Sequence, residues 1–374
     1  MFFYIDLSSV DKDKKEIDLT QVQQILAIEA PSRARQIVKE SDILVSTVRP
    51  NLNGVATVPN ELNDATASTG YCVLRANNQT LNAQYLFYWV QTKSFINEMV
   101  SKATGANYPA VSDKIIKQSK IPLPPLAEQQ KIAAILDAAD SLRQKDQQLV
   151  KRYTALSQSL FLEMFGDPVT NPMGWEFTQL NNLVSKLGDG LHGTPNYSDE
   201  GEYYFINGNN LQHGVIEFGA STKKVSQIEF EKHKKDLNKT TMLVSINGSI
   251  GKVALYNGEK IILGKSACYF NVKESLLNKN YLFHLIESPY FIEYALGMAT
   301  GSTIKNVSLK TMREFPIPMP PKGLQDQFAD SIKLIEAQKQ QAQASLQKSE
   351  ALFNSLLQQA FTGELTRAPM ERAA

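Results

Sequence analysis

The stretch Ile121-Pro-Leu-Pro-Pro125, followed by Glu128-Gln-Gln-Lys-Ile-Ala-Ala-Ile-Leu136 and then by no Gly or Pro until Gly166, organises the chain because it occurs twice. The second copy opens with Ile317-Pro-Met-Pro-Pro321 and runs free of breakers from beyond Gly323 to Phe361. Cys72 and Cys268 stand 196 residues apart. The same offset relates Tyr85 to Tyr281, Ala103-Thr-Gly105 to Ala299-Thr-Gly301, Lys114 to Lys310, Pro122 to Pro318, Gln129 to Gln325, Ala133 to Ala329 and Phe165 to Phe361. A constant offset over so long a span is an internal duplication.

Each copy reads as one long helix. Paired prolines cannot sit inside a helix, so they close the preceding segment and the helix starts beyond them. In the first copy Ile132, Ala139, Tyr153 and Leu160 share one heptad position, with Asp146 as its polar exception, and Ile135, Leu142, Leu149 and Leu156 share another. In the second, Phe328, Ile332, Ile335, Ala342, Leu346, Phe353, Leu356 and Ala360 keep a 3/4 spacing. At about 1.5 Å per residue, 126–165 makes a rod of about 60 Å. Such stripes suit a dimerisation stalk or two helices that bury each other within one chain. Duplicated chains tend toward internal two-fold symmetry, which favours the second arrangement, with a globular head at each end of the rod.

With 374 residues and 43% hydrophobic content the chain can bury sizeable cores. Met1-Phe-Phe-Tyr4 is apolar, but Asp6 follows and no basic stretch precedes it, unlike a signal peptide. No apolar run approaches the roughly 18 residues of a membrane helix, so no membrane partner is expected. Two cysteines at equivalent repeat positions suit buried strand residues in a reducing, cytoplasmic setting. The net charge of +1, from 39 basic and 38 acidic residues, announces no polyanion partner globally but leaves room for local basic patches.

Along the first head, Phe2-Phe-Tyr-Ile5, Ile43-Leu-Val-Ser-Thr-Val48 and Thr69-Gly-Tyr-Cys-Val-Leu74 read as strands, and 82–100 as one amphipathic helix burying Tyr85, Leu86, Trp89, Val90 and Ile96. In the second, Leu187-Gly-Asp-Gly-Leu-His-Gly-Thr-Pro-Asn-Tyr197 reads as a rigid glycine-rich loop. Tyr203-Tyr-Phe-Ile206, Met242-Leu-Val-Ser-Ile246, Lys252-Val-Ala-Leu-Tyr256 and Ala267-Cys-Tyr-Phe270 read as strands, and 280–295 as the repeat of the first head's helix. Strands and helices are segregated, an α+β pattern.

No catalytic constellation emerges. Asn171-Pro-Met-Gly174 lacks the second Pro and the aromatic of an amino-methyltransferase motif, and Gly248-Ser-Ile-Gly-Lys252 has Ile246 where a phosphate loop needs Gly. HExxH, CxxC and GxSxG are absent, and His192, His213, His233 and His284 are scattered rather than at ligand spacing. The chain therefore reads as a binding protein. Reading DNA requires Asn, Gln, Arg or His for base edges and Lys or hydroxyl groups for phosphates. The loops of the second head supply His192, Thr194, Asn196, Asn209, Asn210, Gln212, Lys223, Lys224, Lys234, Asn247 and Lys305, and those of the first Lys12, Lys15, Arg49, Asn51 and Asn107. Individually these also suit turns and solvated surface.

Leu123-Pro-Pro-Leu-Ala-Glu-Gln-Gln-Lys-Ile-Ala-Ala-Ile-Leu136 ahead of a long helix, its second copy, and the closing Phe361-Thr-Gly-Glu-Leu365 resemble the DNA specificity subunit of type I restriction–modification systems. Asp189-Gly-Leu-His-Gly-Thr-Pro195 is similar to a signature of that family's target recognition domains. The resemblance spans essentially the whole chain. It implies target recognition domains over 1–121 and 166–321, joined by conserved helices over 122–165 and 322–374 that form an antiparallel coiled coil. It further implies a bipartite double-stranded DNA target and docking of modification (methyltransferase) subunits, and through them the restriction subunit, with Ile132, Ile135, Leu142, Leu149, Leu156, Phe328, Ile335, Leu346 and Phe353 as the coiled-coil and partner-binding positions. No cofactor belongs to this chain on that reading: S-adenosylmethionine, ATP and Mg are expected in the partner subunits.

One departure stands out. Phe3-Tyr-Ile5 aligns with Tyr204-Phe-Ile206, and nothing in 1–165 matches Trp175 or the loop 190–195. A shortened first head is the expectation, with an uncovered sheet edge and self-association as consequences. The alternative function is then an assembly scaffold whose first domain no longer reads DNA.

Overall fold

A computed structural model describes residues 1–301 and 303–365, so the tail 366–374 lies outside the described residues. The chain divides into two compact units, 1–148 with 342–374 and 149–341. Each combines one head, the half of a long helix that follows it, and the far half of the other long helix. The long helices are Leu126–Phe165 and Lys322–Thr362.

In the first unit, Phe2–Ile5 pairs antiparallel with Gln23–Ile25 and parallel with Thr66–Ser68, and Ala34–Ile37 completes a four-stranded sheet. Val55–Thr57, Ile43–Ser46 and Tyr71–Leu74 form a second, antiparallel sheet in that order. The second unit repeats the scheme. Tyr203–Ile206 lies between antiparallel Lys224–Val225 and parallel Ile261–Leu263, while Val184–Asp189, Ala267–Val272, Thr241–Ser245 and Val253–Leu255 form the antiparallel sheet. Phe2–Ile5 and Tyr203–Ile206 thus hold the same place. The strands Phe177–Gln179 and Val184–Asp189 have no counterpart among the described residues of the first unit, where Tyr71–Leu74 is an edge strand. Cys72 and Cys268 are buried and unpaired with each other, and burial raises both thiols, that of Cys72 to about 12.

The duplicated Gln explains why each head is fixed to its helix. Gln129 is fully buried. Its Oε1 accepts from the Asn82 N–H at 2.9 Å, and its Nε2 donates to the carbonyls of Thr80 (2.9 Å) and Pro124 (2.8 Å). Gln325 repeats the lock with the Asn278 N–H and the Pro320 carbonyl, both at 2.8 Å. Tyr85 and Tyr281 donate their hydroxyls to the carbonyls of Pro122 (3.0 Å) and Pro318 (2.8 Å). The first long helix stops at Gly166, whose φ of +76° suits a residue without Cβ, and the Trp175 indole N–H donates to the last helical carbonyl, Phe165, at 2.9 Å.

Within the units the long helices run antiparallel. Asp146 accepts from Ser345 at 3.0 Å in the first, and Ser157 lies 3.5 Å from Glu336 while Phe161 meets Phe328 edge-on in the second. One of the two stripes expected to form the buried seam of the first helix is displaced, while the line of Ile132, Ala139 and Asp146 is buried as expected. Ile132, Leu136, Ala139, Asp146, Ser157 and Phe161 are buried, whereas Ile135, Leu142, Leu149 and Leu156 are 39–49% exposed. Each head's own helix presses on the long pair and turns the seam toward the neighbouring position, one residue later in the repeat, leaving the Ile135 stripe on the flank. In the second helix Phe328 and Phe353 are buried, and Ile335 and Leu346 are half-buried.

Two further expectations change. The helix expected over 82–100 is two, Ala83–Trp89 and Lys93–Lys102, because the Thr92 side chain caps the second by accepting from the Phe95 N–H. Phe95 and Met99 are buried from it rather than Ile96. Pro289 divides the equivalent pair Lys279–Glu287 and Pro289–Met298. The expected loop 187–197 begins as strand, since Leu187 pairs with Phe270 and Gly188 with Tyr269.

Candidate nucleic-acid interface

In the second unit the strand Thr241–Ser245 runs on to Asn247, whose backbone bridges Asn306. The Asn247 amide donates to Asn306 Oδ1 at 3.1 Å. Asn306 in turn exchanges backbone hydrogen bonds with Thr300 at 2.9 and 2.8 Å. Beside this junction, Leu191 N–H donates to the Leu263 carbonyl at 2.6 Å. A Cβ at Gly190 would lie 2.2 Å from that same carbonyl oxygen, so only glycine lets the loop approach the strand end. The pinned loop holds His192 exposed, its Nε2 2.6 Å from Asp189 Oδ2. Asp189, His192, Asn247, Lys265, Asn306 and Ser308 line a cleft of about 260 Å³ over the side chains of Ile246, Val307 and Leu309.

The structure joins some sequence-predicted residues to this cleft and ties others down. His192 and Asn247 line it, and Lys305 stands exposed beside it with its carbonyl accepting from the Gly248 N–H. Asn209 does not line it; its side-chain oxygen accepts from Ser249, two residues beyond Asn247, at 3.5 Å. Thr194 is exposed on the pinned loop. Asn210 is committed within its own turn, accepting from the Asn207 N–H and donating to the Glu217 carbonyl, so its amide has little left for a base edge. Asn196 is likewise engaged: its N–H and amide face the buried Glu229 at 3.1 and 3.4 Å, and that backbone hydrogen bond holds the Glu229 carboxyl below its usual range. Gln212 is half-buried in the short strand Leu211–Gln212. Lys224 lies on the edge strand Lys224–Val225 of the three-stranded sheet, its ammonium 5.2 Å from the Tyr204 ring centre, and Lys223 directly precedes that strand. Lys234 is paired with Glu231 at 2.6 Å.

The first unit repeats the junction. Val48 bridges Ala110, and Ala110 exchanges hydrogen bonds with Thr104 at 2.9 Å each. Arg49 adopts φ +50°, donates its N–H to the Pro109 carbonyl at 2.7 Å and stacks its guanidinium 4.7 Å over Tyr108. Asn51 and Asn107 are exposed on the two loops so joined, and Lys12 is exposed on a separate turn. Lys15 departs from its expected place on the DNA surface. Its ammonium turns inward to the Asn53 carbonyl at 2.5 Å, and burial lowers it to about 8.

Sequence reasoning missed Asp189, Lys265, Asn306, Ser308 and Tyr108. The offset that relates Thr104 to Thr300 also relates Ala110 to Asn306, which was the available signal. Among the described residues no group of three or more His, Cys, Asp or Glu is placed to hold a metal, and no helix is long and apolar enough to cross a membrane.

Two repeated polar junctions, each on an α+β head locked to a long helix, define a duplicated binding protein. Comparison with known proteins says of which kind. The type I restriction modification DNA specificity domain matches residues 19–152 and 172–348. The specificity subunit of the type I restriction enzyme MjaVIII of Methanocaldococcus jannaschii is 24% identical over 76% of this chain and 71% of its own length. That of EcoBI of Escherichia coli is 19% identical over 79% of this chain and 68% of its own. A solved chain from a study of complex assembly and conformational transition of the type I R-M system shares the fold, with a TM-score of 0.56 at 24% identity over 97% of this chain and 92% of that one. The chain belongs to the type I restriction modification DNA specificity domain family.

Proposed function

We propose that this chain is the non-catalytic subunit that reads a bipartite duplex DNA site, one half-site per head, for a type I restriction–modification complex. The observation that carries the reading is the repeated junction. In each head it gathers side chains able to face base edges from loops distant in sequence: His192, Asn247 and Asn306 in one, Arg49, Asn51 and Asn107 in the other. Lys223, Lys224, Lys265 and Lys305 supply phosphate contacts around the second.

Modification subunits dock on the long helices, where Ile135 and Leu142 in the first unit and Leu149 and Leu156 in the second leave apolar surface open to a partner helix. The restriction subunit joins through them. S-adenosylmethionine, ATP and Mg are held by those partners, and the complex works in the cytoplasm. The edge strand Tyr71–Leu74 is a second route to association, between copies of this chain.

A mobility-shift titration against mixed duplexes, with and without the modification subunit, tests this. Sequence-selective retention is expected in the complex. Retention without any sequence preference would leave only a scaffold role.

A further inference from the structure

The second unit encloses a recess of about 450 Å³ between the long helices and the turn before Pro289. The equivalent recess in the first unit, about 310 Å³, has its floor filled by Phe353. That ring is buried, meets Tyr88 edge-on at 6.0 Å, and lies 5.1 Å beneath the Arg143 guanidinium. The offset of 196 places Ser157 where Phe353 stands, His284 where Tyr88 stands and Lys339 where Arg143 stands. All three line the larger recess, where His284 meets a different ring, Phe328, edge-on at 5.3 Å, and the place of Phe353 is left to the small Ser157 side chain. The His284 Nε2 is buried there with no hydrogen-bond partner. Phe161 and Tyr290 contribute aromatic walls, and Leu162 and Val169, 51% and 62% exposed, form an apolar lip.

The rim is acidic. Asp167 and Glu293 stand exposed at its edge, whereas Glu287 lies 3.6 Å from His213 and Lys339 is engaged by Glu336 at 3.3 Å. Such a rim repels phosphate and suits a cationic partner segment. From the missing ring and this charge we infer that the recess receives an aromatic side chain, flanked by basic residues, from a modification subunit. The inference rests on the proposed role as a subunit that docks such partners. The incoming ring takes the place that Phe353 fills in the first unit, and a hydrogen-bonding group on it, as in Tyr or Trp, satisfies His284. The two heads therefore grip their partners differently: one recess is closed from within, the other from outside. Buried aromatic anchors in pockets are the usual carriers of interface affinity.

The test uses the full-length chain and its modification subunit, with affinity read by calorimetry. Ser157→Phe installs the first unit's own ring and is expected to keep or raise the melting temperature while weakening binding roughly tenfold or more. Ser157→Ala, which leaves the recess open, should bind as the parent does. Glu293→Lys, at the exposed rim, is expected to weaken binding by at least about threefold at low salt without touching the fold, and it decides the matter if Ser157→Phe does not fold. Parental affinity in a folded Ser157→Phe chain, or in Glu293→Lys if that variant is the arbiter, overturns the inference and leaves partner docking intact. A parent chain that does not bind the modification subunit at all overturns the docking role and the inference with it.

Discussion

Replacing Gln325 by Leu removes the lock between the second head and its helix while keeping side-chain bulk. Two buried groups, the Asn278 N–H and the Pro320 carbonyl, lose partners at 2.8 Å. Each buried polar group left unpaired costs about 1–3 kcal/mol, so the second unit should lose roughly 2–5 kcal/mol after the small gain from burying Leu. Gln129→Leu orphans three groups, the Asn82 N–H and the carbonyls of Thr80 and Pro124, and should cost the first unit more. The chain holds two tryptophans, Trp89 in the first unit and Trp175 in the second. Urea unfolding followed by fluorescence in Trp89→Phe and Trp175→Phe backgrounds therefore reports each unit by itself. A loss below about 0.5 kcal/mol for either substitution, against the penalty expected for an orphaned buried group, would refute the reasoning. So would a larger loss for Gln325 than for Gln129.

Three further outcomes are expected. Lys223→Glu and Lys224→Glu should each flatten the log–log salt dependence of DNA binding by about 0.9, evenly across sequences, whereas Lys234→Glu should change it less because Lys234 is already paired with Glu231. His192→Ala and Asn247→Ala should alter which bases are preferred in one half-site, at about 1–3 kcal/mol per lost base contact, and an equal loss on matched and mismatched half-sites would make them positioning residues. Burial, with a smaller effect from Lys339, lowers His284 from 6.5 to about 4, so the unfolded chain takes up that proton first as pH falls. The second unit should therefore lose stability between pH 6.5 and 4, and urea midpoints of His284→Leu should lack that part of the decline.

The duplication, the two helices and the longer strands such as Ile43–Ser46 and Ala267–Val272 were legible in the sequence because offset, proline pairs and apolar periodicity are local signals, whereas short strands such as Gln23–Ile25 and Lys224–Val225 were not. Gln129 and Gln325 were visible as repeated residues, yet their role depends on backbone groups 47 residues away. Of the two stripes, that of Ile132 and Ala139 is buried as expected, and that of Ile135, Leu142, Leu149 and Leu156 was misplaced by one position because heptads record which residues are apolar, not which face a head presses upon. Lys15 and Asn196 failed as surface readers for a related reason. Composition marks them as polar, and only the fold turns one toward Asn53 and ties the other to Glu229. Asn306 and Lys265 were missed because the junction that gives them meaning joins segments far apart in the chain.

The most direct measurement is selection of bound duplexes from a randomised pool by the chain in complex with its modification subunit. Two separated blocks of fixed sequence are expected, with Asn247→Ala and Arg49→Ala each relaxing a different block. A single block, or enrichment that neither substitution changes, would contradict the account.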